Sequence, residues 1–257
     1  MKNASEAFSR LLKIMDELRE KCPWDREQTM ESIRNLTIEE TYELADAIIE
    51  NDMEGVKKEL GDILLHIVFY SKIASETNLF DINDVINGIC EKLIFRHPHV
   101  FGSTKVDGAG DVVKNWEQIK MSEKKGNKTV LSGVPKSLSS LIKANRIQEK
   151  VRAVGFDWEV PNQVWDKIEE ELTELKNEIK RDDNDAIEAE FGDLFFSLVN
   201  AARLYNIDPE TALERTNKKF IKRFGYLESK TIQEGHSLNS MSLDEMNEIW
   251  DEAKKFD

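Results

Sequence analysis

Five acidic residues occur twice in this chain with the same spacing. The first set is Glu39, Glu40, Glu43, Glu59 and Asp62, and the second is Glu170, Glu171, Glu174, Glu190 and Asp193. Every acid of the second set stands 131 positions after its counterpart, whereas neighbouring residues change, as Lys58 does to Ala189. A single Glu or Asp is usually exposed, and exposed acids have no need to keep such a register. The repeat therefore predicts a duplicated functional site rather than a charged surface.

Helical geometry predicts that the acids of each set converge. At about 100° per residue, Glu39, Glu40 and Glu43 occupy an arc of roughly 100° on one helix. Glu59 and Asp62 are roughly 60° apart on the next helix, and the sequence ENDMEG between the two helices is typical of a turn. Two carboxylates about 4 Å apart repel by about 4 kcal/mol at an effective dielectric constant near 20. The cluster therefore needs protons or cations, and an all-oxygen ligand set favours Mg²⁺, with Mn²⁺ as a substitute.

Basic residues are duplicated as well, at an offset of 127 positions. Lys92 and Arg96 in KLIFR match Lys219 and Arg223 in KFIKR, and each pair is one helical turn apart. Magnesium usually keeps part of its coordination shell for water and substrate phosphates. An acidic cluster accompanied by paired cations therefore predicts a phosphorylated substrate, with these four side chains on its phosphates.

Several other residues have structural as well as functional interpretations. Trp24 in CPWD and Trp158 in GFDW are candidates for stacking on a nucleic-acid-type base of a ligand, although each is also suited to core packing. His66 lies in the apolar run ILLHIVF and is expected to be a packed core residue. Gly61 and its counterpart Gly192 predict a close approach between helices, because glycine is otherwise unfavourable inside a helix.

Composition and charge exclude several classes of protein. The 257 residues include 50 acidic and 36 basic side chains, and the formal net charge of −14 disfavours nucleic-acid binding. Two cysteines are too few for a disulfide framework, which favours a reducing compartment. The sequence shows no signal peptide, and its longest apolar run is far short of the roughly 20 residues of a membrane span. We therefore expect a cytoplasmic protein without membrane or nucleic-acid partners.

The pattern of apolar residues predicts an all-α fold made of two similar domains. An apolar stripe at three- and four-residue steps runs from Phe8 to Leu18. Helix starts are predicted by three residue pairs: Thr37 with Glu40, Ser242 with Glu245, and Asp208 with Pro209. We expect helical bundles at 1–120 and 137–257, each with about four or five helices, and a linker at 121–136. Such short bundles are expected to complete their cores by dimerisation.

The chain resembles the MazG family of all-α nucleoside triphosphate pyrophosphohydrolases over nearly its whole length. The resemblance is carried by the tandem pattern EE-x₂-E, 15 residues, E-x₂-D. It includes CPWD, EETYE, ELGD and RHPHVF in the first half, and VGFDW, EEE, EFGD and NKKFIKRF in the second. It implies a homodimer that hydrolyses NTPs or dNTPs to a monophosphate and pyrophosphate with Mg²⁺.

The resemblance also implies a role for each repeated residue. Glu39 and Glu170 would orient or deprotonate the attacking water. The metal ligands would be Glu40, Glu43, Glu59 and Asp62 in the first half, and Glu171, Glu174, Glu190 and Asp193 in the second. The phosphates would be held by Lys92, Arg96, Lys219 and Arg223.

Three alternatives differ in chemistry. One is a pyrophosphohydrolase dedicated to a single nucleotide, such as dUTP or phosphoribosyl-ATP. Another is a non-catalytic nucleotide-binding regulatory scaffold, although the retention of every acid in both halves argues against it. A di-iron carboxylate bundle would need Glu-x-x-His pairs, and the counterpart of His66 in the second half is Ser197.

Overall fold

The computed structural model describes residues 2–108, 110–112, 115, 116, 119, 129–158, 160, 162–233 and 235–256. The chain divides into two compact units, Met1–Val112 and Val113–Asp257. Regular structure is entirely helical within the described residues, which confirms the predicted all-α class. Of the predicted linker at 121–136, residues 121–128 lie outside the described part of the chain, so the exact domain limits stay a prediction.

The first unit is built around a long helix hairpin. Its helices include α1 (Lys2–Lys21), α2 (Pro23–Glu27), α3 (Met30–Glu50), α4 (Met53–Glu76), α5 (Ile82–Arg96) and α6 (Pro98–Phe101). Helices α3 and α4 pack against each other, and α1 packs on α4. The core consists of Met15 from α1, Ile33 from α3, and Val68 and Phe69 from α4. Phe8 packs at its margin, which confirms the apolar stripe predicted for the first helix.

The second unit repeats the hairpin. A 3₁₀ turn at Val130–Gly133 precedes α7 (Ser140–Arg152), α8 (Asn162–Arg181), α9 (Asn184–Leu204), α10 (Pro209–Gln233) and α11 (Leu243–Ala253). Helices α8 and α9 form the hairpin, and α7 packs on α9 and α10. The buried apolar side chains include Val164 and Leu175 on α8 and Val199 on α9.

The turn that closes each hairpin is the same in both units. Asn51 and Asp182 are 131 positions apart and adopt left-handed conformations, with φ of 58° and 59°. The next residue is the N-cap of the following helix in each case. Asp52 accepts hydrogen bonds from the backbone of Glu54 and Gly55, and Asp183 accepts one from Ala186. A two-residue connection between packed helices makes them antiparallel, so these turns set which faces of each pair meet.

Two helix starts were predicted correctly and one was not. Ser242 forms a capping box with Glu245 at α11, and the Asp208 carboxylate caps α10 by accepting from the Thr211 backbone. Helix α3, however, begins at Met30 behind a capping box of Thr29 and Ser32. Thr37 lies inside this helix, where its hydroxyl lies 3.1 Å from the Ile33 carbonyl and 2.7 Å from the Tyr70 hydroxyl. Its Ser/Thr-x-x-Glu spacing was therefore misleading.

Two expectations about packing also need correction. A Cβ atom added at Gly61 or Gly192 would meet no other atom within 4 Å, so neither glycine permits a close helix approach among the described residues. The apolar run at 63–69 is only partly enclosed: His66 and Val68 are buried as expected for a core, but Leu64 and Ile67 are 40% and 42% exposed. One side of the hairpin therefore presents apolar side chains outward.

The N-cap of α4 gives a test of how the hairpin turn is held. We expect Asp52→Ala to weaken the start of α4 by about 1 kcal/mol, because two backbone N–H groups lose their acceptor. The measurement is amide hydrogen exchange at Glu54 and Gly55, which should become about fivefold faster. Glu20→Ala removes one exposed charge from α1 and serves as the control. Equal exchange in the two variants would show that the cap does not hold this turn.

Candidate active site

The first-unit hairpin brings three of the predicted acids together. Glu40 and Glu43 lie on α3, Glu59 lies on α4, and each offers a carboxylate oxygen within 4.8 Å of the others. Glu59 is 6% exposed, and its Oε2 has no hydrogen-bond partner among the described residues. Burial and the neighbouring acids Asp62, Glu59 and Glu43 raise the pKa of Glu40. The antiparallel turn thus creates a partly desolvated group of anions.

The second-unit hairpin repeats this arrangement. Glu171 and Glu174 on α8 and Glu190 on α9 also offer oxygens within 4.8 Å of one another. Glu171 is 5% exposed, and Glu190 Oε2 is buried without a partner in the part of the chain that the structure describes. Burial raises the pKa of Glu190, and so do Glu174, Asp193 and Glu171. The convergence predicted from spacing alone therefore occurs in both units.

The remaining repeated acids stand at the margins of these clusters. Glu39 and Glu170 are exposed, one position before the clustered acids of α3 and α8. Asp62 is half-buried on α4 and Asp193 is exposed on α9. Both aspartates are close enough to raise the pKa of a clustered glutamate, Asp62 that of Glu40 and Asp193 that of Glu190.

Each cluster contacts a lysine that the repeat did not identify. In the first unit the Lys58 ammonium lies 2.9 Å from Glu59 Oε1, 3.8 Å from Glu43 Oε2 and 4.0 Å from Asp62 Oδ2. These carboxylates raise the pKa of Lys58, chiefly through the hydrogen bond to Glu59. The position is not shared, because the second unit has Ala189 there.

The second unit takes its lysine from the other helix of the hairpin. The Lys167 ammonium on α8 lies 2.8 Å from Glu171 Oε1 and 3.0 Å from Glu170 Oε1, and hydrogen bonds to these acids raise its pKa. Its counterpart in the first unit is Leu36. The spacing from Lys167 to both acids, three and four residues, could have indicated this contact. Each unit thus places an ammonium against its anions from a different position.

The two clusters fit a hard divalent cation. Their oxygens are all carboxylate, which suits Mg²⁺ or Mn²⁺ rather than a softer metal. A buried acceptor oxygen without a partner is costly, and one occurs in each cluster, at Glu59 and at Glu190. Glu40, Glu43 and Glu59 would hold the ion in the first unit, and Glu171, Glu174 and Glu190 in the second.

The predicted phosphate-binding residues lie outside the acidic hairpins. Lys92 and Arg96 are on α5, and Lys219 and Arg223 are on α10. The Arg223 guanidinium carbon lies 5.6 Å from the centroid of the Trp250 ring. Assignment of these four cations to phosphates remains a prediction from the sequence.

A cavity of about 440 Å³ adjoins the acids of the second unit. Lys167, Glu171 and Asp193 form part of its wall, and Trp158 forms another part. One of the two tryptophans considered for base contact therefore lies next to the acidic cluster. Trp24 is 57% exposed on α2, and its contact with a base remains a prediction.

Polar residues that the sequence reading missed line the same cavity. They are Gln148, Asp157, Ser197, Asn200 and Arg203. Arg203 is buried and pairs with Asp157 through both terminal nitrogens. Burial by itself would raise the pKa of the Asp157 carboxyl. The hydrogen bond from Arg203 is among the contacts that outweigh burial and hold this pKa below its usual value. These partners are 46 residues apart, so no local spacing pattern relates them.

Duplicated helix hairpins with an acidic cluster in each define an all-α protein with two carboxylate-rich candidate sites. The family model described as the MazG nucleotide pyrophosphohydrolase domain matches residues 28–101 and 161–226. The chain therefore belongs to the MazG family, and the predicted resemblance and enzyme class are confirmed at that level.

Relatives match along nearly the whole chain. A Thermotoga maritima nucleoside triphosphate pyrophosphohydrolase/pyrophosphatase is 46% identical, covering 99% of this chain and 98% of its own. An Escherichia coli nucleoside triphosphate pyrophosphohydrolase is 40% identical, covering 96% and 97%. The Bacillus subtilis protein YabN is 45% identical over 96% of this chain but only 52% of its own length. The crystal structure of a MazG-related protein from Thermotoga maritima has a TM-score of 0.39 and 28% identity, covering 44% of this chain and 97% of that one.

The anionic clusters give a test of the metal assignment. We expect Glu40→Gln and Glu190→Gln each to stabilise the metal-free protein at pH 7, because both carboxyls have raised pKa values and their ionisation opposes folding. The gain in stability should fade below about pH 4.5, the ordinary pKa of a glutamate, because the wild-type carboxyls are then protonated in both the folded and the unfolded state. In melting curves measured with and without Mg²⁺, the ion should also raise the melting temperature of each variant less than that of the wild type.

The control for this experiment is Glu188→Gln, which removes an exposed charge two residues from Glu190. It should leave the Mg²⁺-dependent rise unchanged. A full rise in the double variant Glu40→Gln/Glu190→Gln would contradict the assignment of these acids to a metal.

Proposed function

We propose that this protein hydrolyses nucleoside triphosphates, NTPs or dNTPs, to nucleoside monophosphate and pyrophosphate in a Mg²⁺-dependent reaction. The observation that carries the proposal is the convergence of three carboxylates, one of them buried and one with a raised pKa, on the hairpin of each unit. The Thermotoga maritima and Escherichia coli relatives, which are similar over almost their whole lengths, are named nucleoside triphosphate pyrophosphohydrolases, and this supports the proposal.

The reaction breaks one phosphorus–oxygen bond of the α–β bridge and forms one between phosphorus and the oxygen of water. When bound, Mg²⁺ neutralises the triphosphate, lowers the pKa of a coordinated water and stabilises charge on the transferring group. Glu39 and Glu170, exposed beside the clusters, orient the water and accept its proton. Attack at the α- or at the β-phosphorus cleaves the same bridge, so the products are nucleoside monophosphate and pyrophosphate in both cases.

The basic residues have distinct roles in this proposal. Lys92 and Arg96 from α5, and Lys219 and Arg223 from α10, hold the oxygens of the phosphate chain. Lys58 and Lys167 neutralise the acids before the ion binds, and their contacts of 2.8–4.0 Å support this role. Both ammonium groups would become available to the phosphates of the substrate once the carboxylates held a divalent cation.

Activity measurements test this function directly. The purified protein should release pyrophosphate, not orthophosphate, from a panel of NTPs and dNTPs only when Mg²⁺ or Mn²⁺ is present. Including dUTP and phosphoribosyl-ATP distinguishes an enzyme dedicated to one nucleotide, which would turn over that substrate alone. Binding without turnover would instead support the regulatory scaffold.

Variants assign the activity to the clusters. Glu43→Ala and Glu174→Ala each remove one clustered carboxylate, and the double variant should lose at least about 100-fold in kcat, since even outer-shell changes around a metal cost about 10–100-fold. The exposed Glu188→Ala is the matched control and should retain activity. Full turnover in the double variant would show that the hairpin acids are not the site.

Exposed apolar side chains support a homodimer as part of this proposal. Helix α5 buries none of its residues, and Val85, Ile86, Ile89 and Leu93 along one stripe are 38–47% exposed. Contiguous apolar surface of this kind usually marks an interface. We propose that a second copy of the chain covers it, which would also account for the outward-facing Leu64 and Ile67 of α4.

Sedimentation equilibrium tests the dimer. The wild type should have twice the chain mass of 29.7 kDa, and Ile86→Glu/Ile89→Glu should shift it toward the monomer, because charges in an apolar contact are costly. Asn87→Glu places the same charge elsewhere on α5 and should leave the dimer intact. A monomeric wild type at micromolar concentration would refute this interface.

A further inference from the structure

The Lys58 ammonium of the first unit bridges the two helices of its hairpin. It lies 3.8 Å from Glu43 Oε2 on α3 and 2.9 Å from Glu59 Oε1 on α4. A third carboxylate, that of Asp62, is 4.0 Å away. Two of the three clustered acids of this unit are therefore already paired with a positive charge, and one of them is the buried Glu59.

The Lys167 ammonium of the second unit leaves more of its cluster uncovered. It lies 2.8 Å from Glu171 Oε1 and 3.0 Å from Glu170 Oε1, and both of these acids belong to α8. Within the part of the chain that the structure describes, no ion pair reaches Glu174 or Glu190. One of the three clustered acids is thus paired here, against two in the first unit.

A divalent ion and the Lys58 ammonium compete for the same carboxylates. Mg²⁺ binds carboxylate oxygens at about 2.0–2.1 Å, so an ion held by Glu43 and Glu59 would lie close to an ammonium that is 3.8 Å and 2.9 Å from the same two groups. Like charges at such a separation repel each other, and the ammonium therefore has to move away. Because the Lys58 side chain is 65% exposed, it can turn into solvent without repacking, and what the protein loses is the set of ion pairs.

The position of Lys58 is one at which the duplicated units differ. Its counterpart at the offset of 131 is Ala189, whereas the next position is a glutamate in both units, Glu59 and Glu190. Ala189 is exposed on α9, so a hairpin of this kind forms without a lysine there and has room for one. The contact made by Lys58 is therefore a property of the first unit and not a requirement of the shared fold.

We infer that Lys58 is a tethered competitor of the divalent ion, which makes the first-unit cluster bind the ion more weakly than the second-unit cluster does. This inference rests on the proposed function, because it assumes that the clusters hold Mg²⁺. The second unit then takes up the ion at low concentrations, and the first unit does so only when the concentration rises. The two sites of one chain thus respond to different ranges of divalent-ion concentration.

Binding of Mn²⁺ to the full chain, followed by electron paramagnetic resonance of the free ion, tests the competition. A Glu174→Ala background, in which the second cluster lacks one carboxylate, isolates the first site. We expect Lys58→Ala to lower the Kd of this site for Mn²⁺ about fivefold, the upper end of the range for an exposed ion pair. Lys57→Ala is the matched control, because it removes the same charge one position earlier, where the lysine pairs with Glu54. It should leave the Kd within about twofold.

The reciprocal exchange gives the second unit the lysine of the first. In a Glu43→Ala background, Ala189→Lys should raise the Kd of the second site for Mn²⁺ about fivefold. Glu188→Gln changes the net charge by the same amount two residues before Glu190 and should leave the Kd within about twofold. Both exchanged positions are exposed, and melting curves without metal confirm that each variant is folded.

The outcomes separate this inference from the proposed function. Shifts in Kd as expected for both exchanges, without hydrolysis of any triphosphate, would support the competition and contradict the activity. Hydrolysis by a protein whose Kd for Mn²⁺ is unchanged by Lys58→Ala would overturn the competition alone. An equal shift with Lys57→Ala would also overturn it, because net charge and not the contact would then set the affinity. A chain that binds no Mn²⁺ at either cluster would overturn the competition together with the metal assignment.

Discussion

Repulsion between carboxylates on a helix hairpin is the constraint on which the site in each unit depends. Three acids of each hairpin approach within 4.8 Å, although like charges at such distances repel each other. Packing of the hairpin and its capped turn hold them there. Burial, together with this repulsion, raises the pKa values of Glu40 and Glu190, and the nearby ammonium of a lysine offsets part of the repulsion.

The two units satisfy the same constraint differently. Lys58 reaches its acids from α4, whereas Lys167 reaches them from α8, the first helix of the other hairpin. The anions have kept their register through the duplication, and the counter-ion has not. This difference is explained if the site requires the carboxylates but can take its lysine from either helix. A bound divalent ion would impose such a requirement. In the second unit, a cavity with several polar side chains in its wall also adjoins the acidic cluster.

The acids, the helix hairpins and the turns were predictable because each follows from local spacing. Helical periodicity places Glu40 and Glu43 on one face, and an Asn-Asp pair marks the turn to α4. The start of α3 was misjudged, since Thr29 rather than Thr37 has the free backbone N–H groups to cap. The contacts of Gln148 and Arg203 could not be found this way, because their hydrogen-bond partners are 48 and 46 residues away in the sequence. Within the described residues no helix has the length and apolar content to cross a bilayer.

Direct location of a divalent cation tests the central claim that each carboxylate cluster exists to bind one. Crystals of the protein soaked with Mn²⁺ should show an anomalous scattering peak among Glu40, Glu43 and Glu59, and another among Glu171, Glu174 and Glu190. The metal–oxygen distances should be a little over about 2 Å, with the Lys58 and Lys167 ammonium groups displaced from the acids. Saturating Mn²⁺ that left both clusters without a peak and both lysines in place would contradict it.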